Sequence, residues 1–114
     1  MNDKLIPIYT SAGECSAYLS YPYIFDVNGD WIAFVDKDRS VYSIRGEYIG
    51  WITDDPRIVR MVSSDDLKKR VEPIKKPSMI KVVATQALAP MMPDLPNSQI
   101  DVLQDEPNKF IGNG

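Results

Sequence analysis

Three gapless copies of one short segment occupy the first half of the chain: IYTSAGECSAYL (8–19), IFDVNGDWIAFV (24–35) and VYSIRGEYIGWI (41–52). The register steps by sixteen residues and then by seventeen. Glycine recurs at Gly13, Gly29 and Gly46, each followed by an acid, Glu14, Asp30 or Glu47. Aromatics recur at Tyr9, Phe25 and Tyr42 and again at Tyr18, Phe34 and Trp51, the second set preceded by the small residues Ala17, Ala33 and Gly50. A repeat fixes the architecture before any single residue is considered, because each copy has to form the same local unit.

Each copy reads as two short strands around a tight turn. Asn28-Gly29 suits a two-residue hairpin loop, whose central positions both need φ > 0. Ala12-Gly13 and Arg45-Gly46 fit such a loop or a turn closed by a glycine bulge. With two-residue loops, strand alternation puts Tyr9, Tyr18, Phe25, Phe34, Tyr42 and Trp51 on one face. The other face takes Ile8, Ala17, Leu19, Ile24, Ala33, Val35, Val41, Gly50 and Ile52, with Trp31 and Tyr48 also there, nearer the tips. Both faces are apolar, so a lone hairpin would be marginal and each must pack on two sides. The small residues imply close approach about a common axis, and the aromatics should fill the gaps between neighbouring hairpins.

A fourth unit is the natural completion. Arg57–Val62 reads as a strand, but the glycine and second aromatic are missing, and SSDDLKKRV (63–71) resembles a short helix with Ser63 or Ser64 as N-cap. Ile80–Ala84 is the other candidate for the missing strand. The matching positions Tyr9/Gly13/Ala17/Tyr18, Phe25/Gly29/Ala33/Phe34 and Tyr42/Gly46/Gly50/Trp51 resemble the four-fold β-flower domain, whose aromatic-x-x-x-Gly-x-x-x-(Ala/Gly)-aromatic units form hairpin petals. The resemblance covers 7–53 well and 57–71 poorly. It implies a fold and no established activity, so no catalytic residue follows from it.

The expected architecture is therefore all-β: a four-fold arrangement of short β-hairpin repeats with one short helix and an extended Pro-rich C-terminal segment. Residues 1–72 form the repeat domain (units 7–22, 23–39, 40–56 and a degenerate 57–72), and 73–114 a tail packing on it or on a neighbouring subunit. The tail is Pro-punctuated yet carries Met91, Met92, Leu95, Ile100, Val102 and Leu103, too many apolar anchors for a free linker.

The chemistry is bounded by absences. The chain has no histidine and one cysteine. That removes imidazole acid–base chemistry, Ser-His and Cys-His nucleophiles, and a structural zinc site. Cys15 lacks an activator and reads as a packing residue. Asp26-x-Asn28-Gly29-Asp30 departs from the calcium-loop pattern and suits a turn instead. No enzyme activity, cofactor or metal is expected. One cysteine, no apolar run of membrane-spanning length and no secretion-like N-terminus lead to the expectation of a cytoplasmic chain with no membrane contact.

Charge is uneven: residues 57–81 hold eight of the thirteen Lys and Arg and net +5, against −5 for the first 56 residues and −3 for the last 33. No aromatics alternate with these cations as a nucleic-acid platform would require, so they are read as offsetting the acidic tips, and a nucleic-acid partner is not expected. Salt-sensitive polyanion binding through Lys68, Lys69, Arg70, Lys75 and Lys76 is the lesser alternative. The leading expectation is a non-enzymatic interaction or assembly module with a protein partner or self-association as a homo-oligomer. The alternative is a small-ligand or glycan-binding module using tip aromatics. The candidate contact surface is Trp31, Tyr48, Lys68, Lys69 and Arg70, with Trp51 as a further aromatic.

Overall fold

The computed structural model describes residues 5–63, 69–78 and 90–110. Eight antiparallel strands follow one another in a single sheet: β1 (Ile6–Tyr9), β2 (Cys15–Ser20), β3 (Tyr23–Asp26), β4 (Trp31–Val35), β5 (Ser40–Ser43), β6 (Tyr48–Ile52), β7 (Ile58–Met61) and β8 (Gln99–Asp101). A short helix α1 (Val102–Asp105) and a 3₁₀ turn (Pro107–Phe110) complete the fold. The repeats are hairpins, as the sequence implies. The short helix among the described residues lies in the tail, at Val102–Asp105. Of the stretch 63–71, 64–68 lie outside the described residues, while Lys69–Val71 run extended.

The turns differ from the two-residue loops suggested by Asn28-Gly29. In each repeat the closing residues are separated by three others, with Thr10 N–H donating to Glu14 C=O, Asp26 to Asp30 and Ser43 to Glu47, all at 2.8 Å. The glycines lie at φ +86, +88 and +85, whereas Asn28 keeps a negative φ. This is a turn with the glycine as a left-handed bulge residue. Two inter-hairpin connections repeat the backbone closure, Asp36 to Ser40 (3.0 Å) and Thr53 to Arg57 (2.8 Å). All five turns open on a residue whose side-chain oxygen accepts the N–H four positions on: Thr10, Asp26, Asp36, Ser43 and Thr53. Such local bonds are why these residue types favour turns over ladders. Ser20 and Tyr23 are instead joined through a cis Tyr21–Pro22 peptide.

A second bulge, in the strand after each of these turns at Ser16, Ile32 and Ile49, changes a face. It puts Tyr9 opposite Cys15, Phe25 opposite Trp31 and Tyr42 opposite Tyr48. One extra residue on the second strand reverses the alternation beyond it, so Trp31 and Tyr48 join the aromatic face instead of the aliphatic one. Ile49, the residue after Tyr48, turns into the core and is fully covered.

Ile8, Ala17, Ile24, Ala33, Val35, Val41, Ile52 and Ile58 are buried in one core with Val102 and Phe110 of the tail. The aromatics pack between neighbouring hairpins, with Tyr18 opposite Phe25 and Phe34 opposite Tyr42. The Phe34 and Tyr42 rings stack at 5.5 Å. At Gly50 a Cβ would collide with the Val59 carbonyl oxygen, so the third hairpin tolerates no side chain where it meets β7.

The fourth unit is completed from a distance. Val59, Arg60 and Met61 pair with Asp101, Ile100 and Gln99, so the strand beside β7 comes from the tail; the other candidate, Ile80–Ala84, lies outside the described residues. The ends of the curled sheet then meet. Tyr9 N–H donates to Pro56 C=O at 3.0 Å, and the Asp101 carboxylate accepts both the N–H (2.6 Å) and the hydroxyl (2.7 Å) of Ser11.

Candidate functional site

Three of the five contact residues singled out in the sequence converge on the tip of the third hairpin. Ser43 opens the turn, its Oγ accepting the N–H groups of Arg45 (3.2 Å) and Glu47 (3.3 Å). The bulge then brings Tyr48 across from Tyr42, the rings meeting edge-on at 6.0 Å. An extended stretch from further along the chain lies against this tip. Tyr48 N–H donates to Lys69 C=O at 3.1 Å, and Val71 N–H donates to Gly46 C=O at 2.9 Å. Lys69 Nζ stands 5.8 Å above the Tyr42 ring centre, and Arg70 Nη2 is 2.8 Å from Glu47 Oε2. Both partners of that ion pair are well exposed, so the backbone rungs matter more than the charges.

Beside the tip is a cleft of about 180 Å³ lined by Ser43, Glu47, Tyr48, Ile49 and Lys109. Its walls come from two distant parts of the chain. The third hairpin supplies a carboxylate, a phenol ring and an aliphatic floor, and the 3₁₀ turn of the tail supplies an ammonium group. Lys109 Nζ lies 3.3 Å from Glu106 Oε1. Glu106 is itself held by Arg60, which bonds both its oxygens. The Arg60 hydrogen bonds, with smaller help from Lys109 and against the cost of burial, bring the Glu106 carboxyl down to about 2.

The other nominated residues lie elsewhere. Trp31 is on the second hairpin, half-buried, with Nε1 donating to Ala33 C=O at 2.6 Å and its ring edge-on to Tyr23 at 6.2 Å. Trp51 is half-buried opposite Val59. Lys68 lies outside the described residues. Lys75 and Lys76 are exposed, but Arg57 and Arg60 are not: they are 3% and 9% exposed. Arg57 pairs with Asp55 at 2.6 Å and donates to Ser11 Oγ and Pro93 C=O, its Nε finding no partner. Burial works against the Asp55 charge, yet bonds from Thr53 and Arg57 outweigh it and hold that carboxyl below its ordinary value. Two cations of the basic stretch therefore clamp the tail rather than face solvent.

Among the described residues, no three His, Cys, Asp or Glu side chains gather as a metal site, and no helix is long and apolar enough to cross a membrane.

Repeated hairpins, aromatic packing between neighbours and a fourth unit closing on the first describe a flower of four petals, and the family model for the 4-fold beta flower protein matches residues 6–103. The chain belongs to that family. The match runs through β8, so the distant strand completing the fourth petal falls within the family's span. No curated protein and no solved structure matches this β-flower.

The sequence reading missed Ser43, Glu47, Ile49 and Lys109. Glu47 was visible as the acid after each repeated glycine; Ser43 stands at the repeat position of Thr10 and Asp26, a side-chain oxygen three residues before each glycine. Lys109 carried one weak signal, as the sole cation of the last 33 residues. Only folding the tail back places it here.

Proposed function

We propose that this β-flower is a non-enzymatic interaction module that anchors a side chain of a protein partner in the cleft beside Tyr48. The observation carrying this is the composition and size of that cleft: Glu47 and Lys109, from two distant parts of the chain, line it together with Tyr48 and Ile49, with about 180 Å³ of space. Small-molecule sites usually span some 300–1,000 Å³, so this volume suits one inserted side chain. The glycan alternative needs Trp31 and Tyr48 on one platform. They are on different hairpins, each engaged with a different tyrosine. Binding without catalysis is supported by the site's groups: the Ser43 oxygen is committed to two backbone N–H groups, and no histidine exists to activate it.

A random peptide library displayed on phage and selected on the full chain tests this. Enriched peptides should lose at least tenfold in affinity on Tyr48→Ala and Lys109→Ala variants whose melting curves match wild type. Failure to enrich any peptide, or binding indifferent to both variants, overturns the proposal.

A further inference from the structure

The first and third petals carry the same tip, yet among the described residues only the third has an extended segment laid along it. Gly13 and Gly46 share φ +86 and +85. Thr10 N–H to Glu14 C=O matches Ser43 N–H to Glu47 C=O, both at 2.8 Å, and Gly13 N–H to Thr10 C=O (2.9 Å) matches Gly46 N–H to Ser43 C=O (2.8 Å). The register slips at the same place, Tyr9 against Cys15 and Tyr42 against Tyr48. Groups in identical local geometry point the same way. The Gly13 carbonyl and Cys15 N–H are thus presented as the Gly46 carbonyl and Tyr48 N–H are.

At the third tip those two groups hold Val71 N–H and Lys69 C=O, while Glu47 takes Arg70 and the Tyr42 ring lies under Lys69. The first tip keeps the equivalent of the acidic partner, Glu14, exposed, whereas Tyr9, the counterpart of Tyr42, is already covered. Among the described residues no backbone N–H reaches the Gly13 carbonyl, and Gly13 and Glu14 are exposed, whereas Gly46 is covered. Gly29, at the second tip, is buried; at the first tip Asp101 and Gln104 of the tail take the N–H groups of Ser11 and Ala12, and the exposed Gly13 edge beside them is the open copy among the described residues.

We infer that the first petal tip is a docking rung for an extended basic peptide segment of a partner protein, bound as Lys69–Val71 is bound at the third tip. Main-chain bonds to Gly13 and Cys15 give the affinity, as in strand addition at a sheet edge, and the exposed Glu14 carboxylate selects basic side chains as Glu47 takes Arg70. Charge favours it, since the first 56 residues net −5. This surface is separate from the Tyr48 cleft, so its test does not depend on that site.

The probe is an acetylated peptide of the chain's own sequence, Lys68 to Pro73, titrated into full-length ¹⁵N-labelled protein. Amide shifts should concentrate at Gly13, Glu14 and Cys15. The Glu14→Lys variant, altered only at an exposed position, should bind at least fivefold more weakly. N-methylation of the peptide valine, which deletes the donor to Gly13, should abolish the shifts. Tyr48→Ala and Lys109→Ala should leave them unchanged. Shifts confined to Gly46–Tyr48, indifference to N-methylation, no binding at millimolar peptide, or the same shifts arising only from self-association would each overturn the inference.

Discussion

Arg60 grips Glu106 with two parallel hydrogen bonds, Nε to Oε1 at 2.7 Å and Nη2 to Oε2 at 2.8 Å, across a sequence separation of 46 residues. The guanidinium's remaining nitrogen donates to the carbonyls of Met61 and Val62. A bidentate, charge-assisted pair of this kind is among the stronger polar contacts available. It fixes the tail turn that carries Lys109 against the strand that carries Arg60. The Glu106 carboxyl falls from its ordinary 4.5 to about 2. A carboxylate with a depressed folded pKa contributes stability that is present above the unfolded pKa and lost as pH falls through the folded one. Urea unfolding should therefore show roughly 2–3 kcal/mol lost between pH 5 and pH 2 on account of this group alone. Glu106→Gln should remove most of that slope while lowering stability at pH 7. An unchanged slope in the variant would refute the assignment.

Asp101 joins the first petal to the fourth with both oxygens in use. Oδ2 accepts from Ser11 N–H and Oγ–H, and Oδ1 accepts from Gln104 N–H at the start of α1. Asparagine keeps one acceptor oxygen and puts an NH₂ group where the other stood, so a donor would face a donor on one side. The residue is 2% exposed, and water cannot relieve the mismatch. Asp101→Asn should cost about 2 kcal/mol by chemical denaturation. The loss should appear as faster amide exchange at Ser11 or Gln104, whichever the amide nitrogen faces. A stability equal to wild type would contradict the bridging role.

The petals were legible because a repeat confines its explanation to sixteen or seventeen residues, and turn glycines, small residues and aromatics all act over that range. What was not legible depended on a single-residue offset or on distance along the chain. The bulge after Gly29 and Gly46 moves Trp31 and Tyr48 to the aromatic face, and the Asn28-Gly29 pair gave the opposite signal because it serves either turn. The pairing of Val59 with Asp101 spans 42 positions and leaves no periodic trace. Lys109 reaches the cleft only because Arg60 and Asp101 hold the tail in place, and neither residue type in isolation announces a clamp. The roles of Arg57 and Arg60 within the basic stretch depend in the same way on partners the local sequence does not single out, Asp55 and Glu106.

Gly46 and Gly13 have nearly the same φ but different neighbours, which separates two costs of adding a methyl group. At either site alanine must adopt a left-handed conformation, at about 1 kcal/mol. At Gly46 the new Cβ would also collide with the Val71 carbonyl oxygen. Gly46→Ala should thus be at least 1 kcal/mol worse than Gly13→Ala in thermal unfolding, and should release Lys69–Val71, seen as loss of amide protection at Tyr48 and Val71. Equal effects at the two glycines would mean that the strand at the third tip contributes nothing.

Arg39 occupies the position in the Asp36–Ser40 turn that glycine holds in the three repeats, and its φ of 71 makes it the one non-glycine residue with positive φ among the described residues. Its side chain pairs with Asp54 at 2.6 Å and donates to Thr53 C=O at 3.3 Å, but the two charged side chains are 54% and 93% exposed. A pair that open to solvent contributes less than about 1 kcal/mol, below the roughly 1–2 kcal/mol strain of an ordinary side chain held in the left-handed region. Asparagine tolerates that region well without the extra unfolded-state entropy of glycine. Arg39→Asn should accordingly raise stability by about 0.5 kcal/mol, read as a small increase in the urea midpoint at constant m. The gain should be the same at 0.05 and 0.5 M salt if backbone strain dominates. A destabilisation that disappears at the higher salt would show instead that the ion pair holds this turn.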